Sequence, residues 1–569
     1  MTNRAEAFAE LTTTPEFAEV RPCGQSLRDY SLATFHRAVT LNSADIVSVS
    51  LWLGRGKDEE FTDFLETMGW LGAYDASLLN VSISHQIASD AMLSHGSPQQ
   101  VLGFSQEVRN MEKLYCFATS ELHYGSDLKR IGTTATYCHE DRTLVLDTPE
   151  PGNSKVWIGN SLHSGDVVMA MCILYVDGRN EGHHWLRVPL RNDGGIAKGI
   201  SVAGAEPKGG LDANQTGIIS FDHAAVPASA LMSRWASIDD DGVYRSSIPR
   251  SRRFDECLAT FTHERMFPMA GAVQAQRLAC AITTRFAAIK KVVHQPLLEH
   301  DHYRMRLAAA LGRALGGKHA LEAIGAVAVE RAAGHSPSLD PLLHALVACG
   351  KNGSTWDARH TLAETRELCG GLGFHNQNQI ISLLHDYEIG VTFGGDNTVI
   401  GYQAARIALR ERPSIEALLD AVVRAAESHG TAANGQLVRW MSQICHALLD
   451  LVHRHGSGDA SVAWSRAVYQ TLALGHWATH RENESDARLF QCYASACLLE
   501  HAVDAMRSEI LDQNDVLEMA DLNRETGRTL ATEGELLALL AVPEELITAP
   551  IAFPDFAERH LASARPAVS

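Results

Sequence analysis

The chain has 569 residues, 45% hydrophobic and 21% charged, a composition typical of a globular protein with several domains. A formal net charge of -19, with no basic run longer than Arg250–Arg253, argues against a nucleic-acid partner, because phosphate binding requires clustered positive charge. The eleven cysteines form neither a CxxC pair nor a zinc-type quartet, so reduced thiols and no metal are predicted. No signal segment or long apolar run is evident, so no membrane association and a cytoplasmic, bacterial protein are expected.

The first 236 residues divide into a helical part and a strand-forming part. Over residues 1–113 apolar side chains recur at three- and four-residue steps, which predicts a small N-terminal helical domain. Over residues 114–236 the spacing changes to two, and β-rich runs alternate with turns rich in Gly, Asn and Asp. Because antiparallel strands must bury one face, we expect a central β-barrel or sandwich there.

Two further helical regions follow. Residues 237–412 contain a polar connector and four long helical patterns, which predict a four-helix bundle. Residues 413–569 are rich in Ala and Leu at helical spacing and predict an additional C-terminal helical domain, with a loosely packed tail from Pro543. The predicted fold class is therefore α+β.

The stretch Arg366–Ile400 is the one around which the chain is organised. Two glycine clusters bracket an amphipathic segment, and the stretch continues into TFGGDNT, which ends at Thr398. Glycines allow backbone amides to approach a ligand closely, and the short polar residues suit a helix start. Such glycines are often plain turns or caps. Combined with Cys116–Leu128, CFATSELHYGSDL, they indicate the edge of a cofactor site.

The domain order and these motifs resemble the acyl-CoA dehydrogenase and acyl-CoA oxidase superfamily over residues 26–412. Members hold FAD between the β-domain and the bundle, and share FAD sites across a homodimer interface. The resemblance implies that the loop with Ser120 and Ser126 contacts flavin and substrate phosphates, and that Trp157 packs on one flavin face. The cofactor-binding residues that it implies are Ser120, Gly125, Ser126, Trp157, Gly159, Lys290, Gly370, Gly371, Asn397 and Thr398. The implied substrate-binding residues are Ser126, Arg265 and Phe393.

Several features resemble the oxidase branch more than the dehydrogenases. The helices after Pro413 and the total length are typical of acyl-CoA oxidases. At the position of Gly159, dehydrogenases usually carry a hydroxyl residue near flavin N5, whereas oxidases carry a glycine. The smaller residue would leave room for O2 beside the flavin. Lys290 and Lys291 lie where the family usually places an Arg that clamps the FAD pyrophosphate of the partner subunit. A Lys there supplies charge without a bidentate fork, and a solvated basic pair is the alternative.

The usual catalytic base of the superfamily is missing from its usual place. That base is a Glu before the glycine of the last motif, and here the position is Gly394. Some family members instead carry the Glu on the first long bundle helix, directly before an Arg, and Glu264 with Arg265 matches that arrangement. Glu264 is therefore the predicted base, with Gly394 making room for it. A solvated helix-surface Glu-Arg pair, or His263 as the base, are the alternatives.

Three functions remain open on the sequence. The first is an FAD-dependent oxidase that removes α- and β-hydrogens from an acyl thioester, bound to CoA or a carrier protein, with O2 as oxidant. The second is a flavoenzyme of specialised metabolism that decarboxylates, dehydrogenates and oxygenates a β-keto acid. Decarboxylation forms the enolate without a base, so this reaction does not require the missing Glu. The third is a non-catalytic scaffold that retains the fold.

Overall fold

Helices dominate both ends of the chain, and the strands lie in its middle. The computed structural model describes residues 4–18, 20, 25–48, 58–192, 194–204, 207–332 and 340–563. The N-terminal helices are α1 (Arg4–Leu11), α2 (Leu27–Ser43), α3 (Asp58–Tyr74), α4 (Ala76–His95) and α5 (Pro98–Arg109). Side chains set two of their starts: Asp75 accepts hydrogen bonds from two backbone amides at the start of α4, and Ser97 forms a capping box with Gln100.

Two main sheets and a separate two-stranded sheet form the β-domain. The strands are β1 (Tyr115–Ala118), β2 (Thr134–Cys138), β3 (Thr143–Asp147), β4 (Lys155–Ile158), β5 (Val167–Val176), β6 (Arg179–Pro189), β7 (Arg191–Asn192), β8 (Gly195–Ile196), β9 (Ile200–Gly204), β10 (Gly217–Phe221) and β11 (Ala224–Pro227). The larger sheet has the order β1-β5-β2-β3-β11, with β6 on β5, and the smaller has the order β4-β10-β9. Leu144 of the larger sheet and Ile219 of the smaller one belong to the same core, so the sheets pack as a sandwich.

A bundle of long helices follows a hairpin of β12 (Ala236–Ile238) and β13 (Tyr244–Ser246). Its helices are α6 (Arg250–Leu258), α7 (Phe261–Glu264), α8 (Met266–Ile289), α9 (Asp301–Ala332), α10 (Pro341–Leu368), α11 (Ile380–Glu388) and α12 (Asn397–Arg410), with the short hairpin β14 (Lys291–Val292) and β15 (Gln295–Pro296) between α8 and α9. Phe117 of β1 packs against Phe261 with ring centroids 5.4 Å apart. This contact joins the sandwich to the bundle three residues before Glu264.

The chain ends in further helices, and the predicted α+β fold class is confirmed. They are α13 (Arg412–His429), α14 (Ala432–His455), α15 (Gly458–Thr479), α16 (Glu484–Glu500), α17 (Ala502–Arg507), α18 (Gln513–Arg528), α19 (Glu533–Leu540) and α20 (Phe556–Ser563). Helix α15 packs on both α9 and α10, so this region shares its hydrophobic core with the bundle. Within the described ranges no helix has the length and apolarity that a membrane crossing requires.

The expectation of a loosely packed tail from Pro543 was wrong. Leu546 and Ile551 are buried in the main core. Gln379 fixes the segment by donating to the Leu546 carbonyl at 3.0 Å and accepting from the amides of Thr548 and Ala549. The expectation rested on the Pro- and Ala-rich composition of the tail, whereas its few large apolar side chains are the ones that pack in the core.

Candidate active site

Glu264 ends α7 and carries a buried carboxyl group. Its side chain is 8% exposed, and Oε2 has no hydrogen-bond partner among the described residues. Burial raises the pKa of Glu264 to about 7, although the nearby charges of Arg265 and Lys351 act in the opposite direction. A carboxyl group with such a pKa and a free oxygen is suited to accept a proton near neutral pH. The alternative of a solvated surface Glu is therefore wrong.

Gly394 lies directly opposite this carboxyl group. A Cβ built on Gly394 would be 3.9 Å from Glu264 Oε1 and 3.9 Å from Lys351 Cε. Gly394 and Gly395 both have positive φ angles, +65° and +100°, a conformation that glycine adopts without the strain of a side chain. The loop before α12 thus needs glycine for its backbone, and the missing side chain leaves the space beside Glu264 open.

Arg265 ties the start of α8 to this loop. Its Nε donates to the Gly394 carbonyl at 3.0 Å, and its Nη1 donates to His344 Nε2 at 3.0 Å. Because a guanidinium only donates, His344 Nε2 must accept, which leaves the proton on Nδ1 to be donated to Thr262 Oγ1 at 2.8 Å. Burial, with the Arg265 charge, lowers the pKa of His344 well below its usual value. Neutral His344 therefore holds Arg265 in place.

Lys351, in the middle of α10, is a buried cation of the site that the sequence analysis missed. Its Nζ donates to the Gly395 carbonyl at 2.7 Å and to Asn397 Oδ1 at 2.8 Å. Burial lowers the pKa of Lys351 to about 7, with Arg265 acting in the same direction and the carboxylates of Asp396 and Glu264 opposing it. A signal for Lys351 was present in the sequence: it is the only Lys or Arg in the stretch LHALVACGKNGSTW, which is rich in apolar and small residues.

Trp157 stands out from β4. Its φ is +64° and its side chain is 63% exposed, whereas the other three residues of the strand are buried. Leu122 on the neighbouring loop is also more than half exposed. Trp157 and Leu122 could hold a planar aromatic cofactor, because an exposed indole offers a flat stacking surface.

A buried ion pair supports that loop. Glu121 and Lys155 are both fully buried, with 3.0 Å between Oε1 and Nζ. Thr133 donates to Glu121 through its amide and its hydroxyl, and Lys155 also donates to the Thr119 carbonyl. Burial alone would raise the pKa of Glu121, but the Lys155 charge and these hydrogen bonds hold it below its ordinary value. The loop around Ser120 is therefore fixed from beneath.

The hydroxyl group of Ser84, on α4, lies where a side chain on residue 159 would begin. A Cβ on Gly159 would lie 2.4 Å from Ser84 Oγ and 3.2 Å from Asn214 Oδ1. The space that the sequence analysis expected to be open for O2 is therefore taken by Ser84. Asn214 Oδ1 is buried and has no partner among the described residues, so this corner offers an unused hydrogen-bond acceptor.

The remaining predicted site residues lie in two regions. On the β-domain, Ser120 is half-buried, and Gly125 and Ser126 are exposed. On the bundle side, Lys290 and Phe393 are half-buried, and Gly370, Gly371 and Thr398 are exposed. Only Asn397 points into the bundle interior, where it is 2% exposed and its amide donates to Thr355 Oγ1 at 3.0 Å. Asn397 therefore positions the start of α12 from inside.

Comparison with known families places the site within one matched segment. Residues 258–409, which contain Glu264, Arg265, Lys351 and Gly394, match the family model described as acyl-CoA oxidase, C-alpha1 domain. The resemblance to the acyl-CoA dehydrogenase and acyl-CoA oxidase superfamily is thereby confirmed. The segment that holds the site is therefore similar to the corresponding segment of acyl-CoA oxidases.

Curated relatives agree with this assignment over part of their length. The acyl-coenzyme A oxidase-like protein of Mus musculus is 29% identical over 334 residues, 56% of this chain and 52% of that protein. Peroxisomal acyl-coenzyme A oxidase 3 of Homo sapiens is 26% identical over 424 residues, 71% of this chain and 59% of that protein. The match thus spans little more than half the length of these relatives. The cytoplasmic location stays a prediction.

Solved structures share the fold over nearly the whole chain. Acyl-CoA oxidase1 from Yarrowia lipolytica superposes with a TM-score of 0.83 at 20% identity, covering 100% of this chain and 91% of that one. Acyl-CoA oxidase-1 of Caenorhabditis elegans, complexed with FAD and ATP, gives a TM-score of 0.80 at 18% identity, covering 99% and 90%. At these identities the likeness establishes the fold alone.

Proposed function

We propose that this protein is an FAD-dependent acyl-CoA oxidase in which Glu264 removes the substrate's α-proton. Two observations carry this proposal: Oε2 of Glu264 is buried without a hydrogen-bond partner among the residues that the structure describes, and the space at Gly394 is open. A base with a pKa of about 7 is ionised in part at neutral pH and still basic enough to accept a carbon-bound proton. FAD, when bound, would accept the β-hydrogen as hydride and pass the electrons to O2.

The residues of the chain fit such a cofactor. Trp157 offers an exposed indole for one face of the flavin ring, and the loop at Ser120 is held rigid by the Glu121 ion pair. The exposed glycines Gly370 and Gly371 would let a nucleotide approach the backbone, and Lys290 would contribute positive charge. We extend the proposal to a homodimer, in which Gly370 and Gly371 reach the FAD of the partner subunit.

The other residues near Glu264 have supporting roles in this proposal. Arg265 would fix the loop beside the acyl group, because it donates to the Gly394 carbonyl. The Gly394 amide would donate to the thioester carbonyl, which stabilises negative charge as the α-proton leaves. Phe393 would line the acyl channel, and Ser126 would meet the phosphates of the acyl carrier. Lys351 holds the carbonyl of Gly395 and so maintains the two left-handed glycines.

Anaerobic flavin reduction tests the proposal. FAD-loaded protein is mixed with saturated acyl-CoAs, and the flavin absorbance is followed for the wild type and Glu264→Gln. We expect the rate of flavin bleaching to be about 10²- to 10⁴-fold lower in the variant than in the wild type. Glu256→Gln is the matched control, since Glu256 is also 8% exposed but bonds Arg252 within α6.

The same assay separates the alternative functions. Bleaching by β-keto acids with release of CO2, at equal rates in wild type and Glu264→Gln, would replace the oxidase proposal with the decarboxylative one. A protein that takes up no FAD would favour the scaffold.

A further inference from the structure

Three potential metal ligands converge where α9 packs on α15, separately from the Glu264 site. His319 Nδ1 lies 3.0 Å from His476 Nδ1, and Glu322 Oε2 lies 3.4 Å from the first nitrogen and 3.5 Å from the second. We propose that His319, Glu322 and His476 bind a divalent transition-metal ion of the Zn²⁺ type, which links the bundle to the C-terminal helical region.

The distances fit a metal better than they fit hydrogen bonds alone. Tetrahedral Zn²⁺ with nitrogen and oxygen ligands at about 2.0–2.2 Å separates its donor atoms by about 3.3 Å. The three observed separations lie around this value. Without a metal, each neutral imidazole has either a proton or a lone pair on Nδ1, so one hydrogen between the rings leaves a lone pair facing the Glu322 carboxylate. A cation satisfies all three donor atoms together.

Local structure prepares the ligands. His319 and Glu322 are three residues apart on α9 and therefore share one helix face, the spacing that metal sites inside helix bundles use. His319 stacks on Trp477, with centroids 5.1 Å apart, and His476 stacks on His480, with centroids 4.0 Å apart. The stacking fixes both rings with Nδ1 toward Glu322.

Access and ligand type indicate the class of ion. His319 is nearly buried, whereas the side chains of His476 and Glu322 are 21% and 37% exposed, so an ion can enter and keep a water ligand. Two imidazoles and one carboxylate favour Zn²⁺, Co²⁺ or Ni²⁺ over Mg²⁺ or Ca²⁺, which prefer oxygen ligands. The sequence analysis predicted no metal because His476 lies 154 or more residues beyond the other two ligands, outside any motif spacing.

Metal titration of the full chain tests this site. Protein treated with EDTA is titrated with ZnCl2 by calorimetry and with CoCl2 by visible absorbance. We expect one equivalent of Zn²⁺, Co²⁺ bands typical of four-coordinate sites, and affinity at least tenfold lower in Glu322→Gln and in His476→Gln. His223→Gln is the control, because His223 lies beside Asp147 and Asp222 in an exposed cluster of similar composition.

The outcomes divide clearly. Stoichiometric binding that both site variants weaken and His223→Gln leaves unchanged supports the proposal. No binding by the wild type, binding that the site variants leave unchanged, or binding lost in His223→Gln overturns it. Thermal melting adds a second readout: at equal Zn²⁺ concentration the ion should raise the melting temperature of the wild type more than that of folded Glu322→Gln.

Discussion

Glu264 and Gly394 face each other across the joint between α7 and the loop before α12, with 3.9 Å between Glu264 Oε1 and the place of a Cβ on residue 394. The pair is 130 positions apart in the chain. The approach is close enough that a carboxyl group on residue 394 would compete with Glu264 for the same space. A glycine at 394 and a glutamate at 264 therefore form one arrangement, in which the base is supplied from the bundle helix.

The first prediction concerns the pH dependence of flavin reduction. Glu264 must be ionised to accept a proton, so the rate should rise with pH through about 7 and then level off. Lys351 lowers the pKa of Glu264 by its charge, so Lys351→Met should shift the profile to higher pH. Rates from pH 5.5 to 9 for both proteins check this, with thermal melting as the control for folding. A midpoint that is unchanged in Lys351→Met would contradict the assigned coupling.

The second prediction concerns stability. Burial raises the pKa of Glu264, so between its ordinary value and about 7 the native state holds more protons than the unfolded state. The stability that this protonation contributes is present at low pH and is lost as the pH rises through about 7. Glutamine does not titrate, so Glu264→Gln does not lose this stability as the pH rises. The unfolding free energy of the variant relative to that of the wild type should therefore increase from pH 5 to 8, by at most about 3 kcal/mol. Urea denaturation at both pH values measures the difference, and an advantage that shrinks with pH would contradict it.

Much of the fold could be predicted because periodicity is a local property. The strands β1 to β11 lie within residues 114–236, where the two-residue spacing predicted strands. The surroundings of Lys351 and of Gly159 could not be predicted, because they depend on contacts with distant parts of the chain, Gly395 for the first and Ser84 for the second. Burial of the tail at Ile551 was missed for the same reason, since its partners lie around residue 378.

The third prediction tests the close approach of Ser84 to Gly159. Gly159→Ala should lower stability by about 1–3 kcal/mol, because its Cβ would lie 2.4 Å from Ser84 Oγ. Ser84→Ala removes that oxygen, so the double variant should recover most of the loss. A double-mutant cycle by chemical denaturation measures the coupling. Additive effects of the two substitutions would show that the hydroxyl is not what excludes a side chain at 159.

The fourth prediction concerns Trp157, whose backbone conformation and exposure are both unfavourable for the protein alone. A left-handed φ costs a residue with a side chain about 1 kcal/mol, and 63% exposure means that little apolar burial offsets it. Trp157→Gly should therefore leave the FAD-free protein about 1 kcal/mol more stable than Trp157→Ala does, because only glycine adopts this φ freely.

Stacking of the Trp157 ring on the cofactor would explain why the protein keeps a residue whose φ and exposure lower its stability. Trp157→Ala and Trp157→Gly should each weaken FAD binding about tenfold, which is the size of an aromatic stacking contribution, while Trp157→Phe should lose less. Fluorescence titration with FAD measures the affinities. Leu102→Ala, at an apolar side chain that is 80% exposed on α5, is the control for removing exposed apolar surface. Equal FAD affinity in all four variants and the wild type would mean that the indole contacts something other than the flavin, and the strain at Trp157 would then require another ligand to explain it.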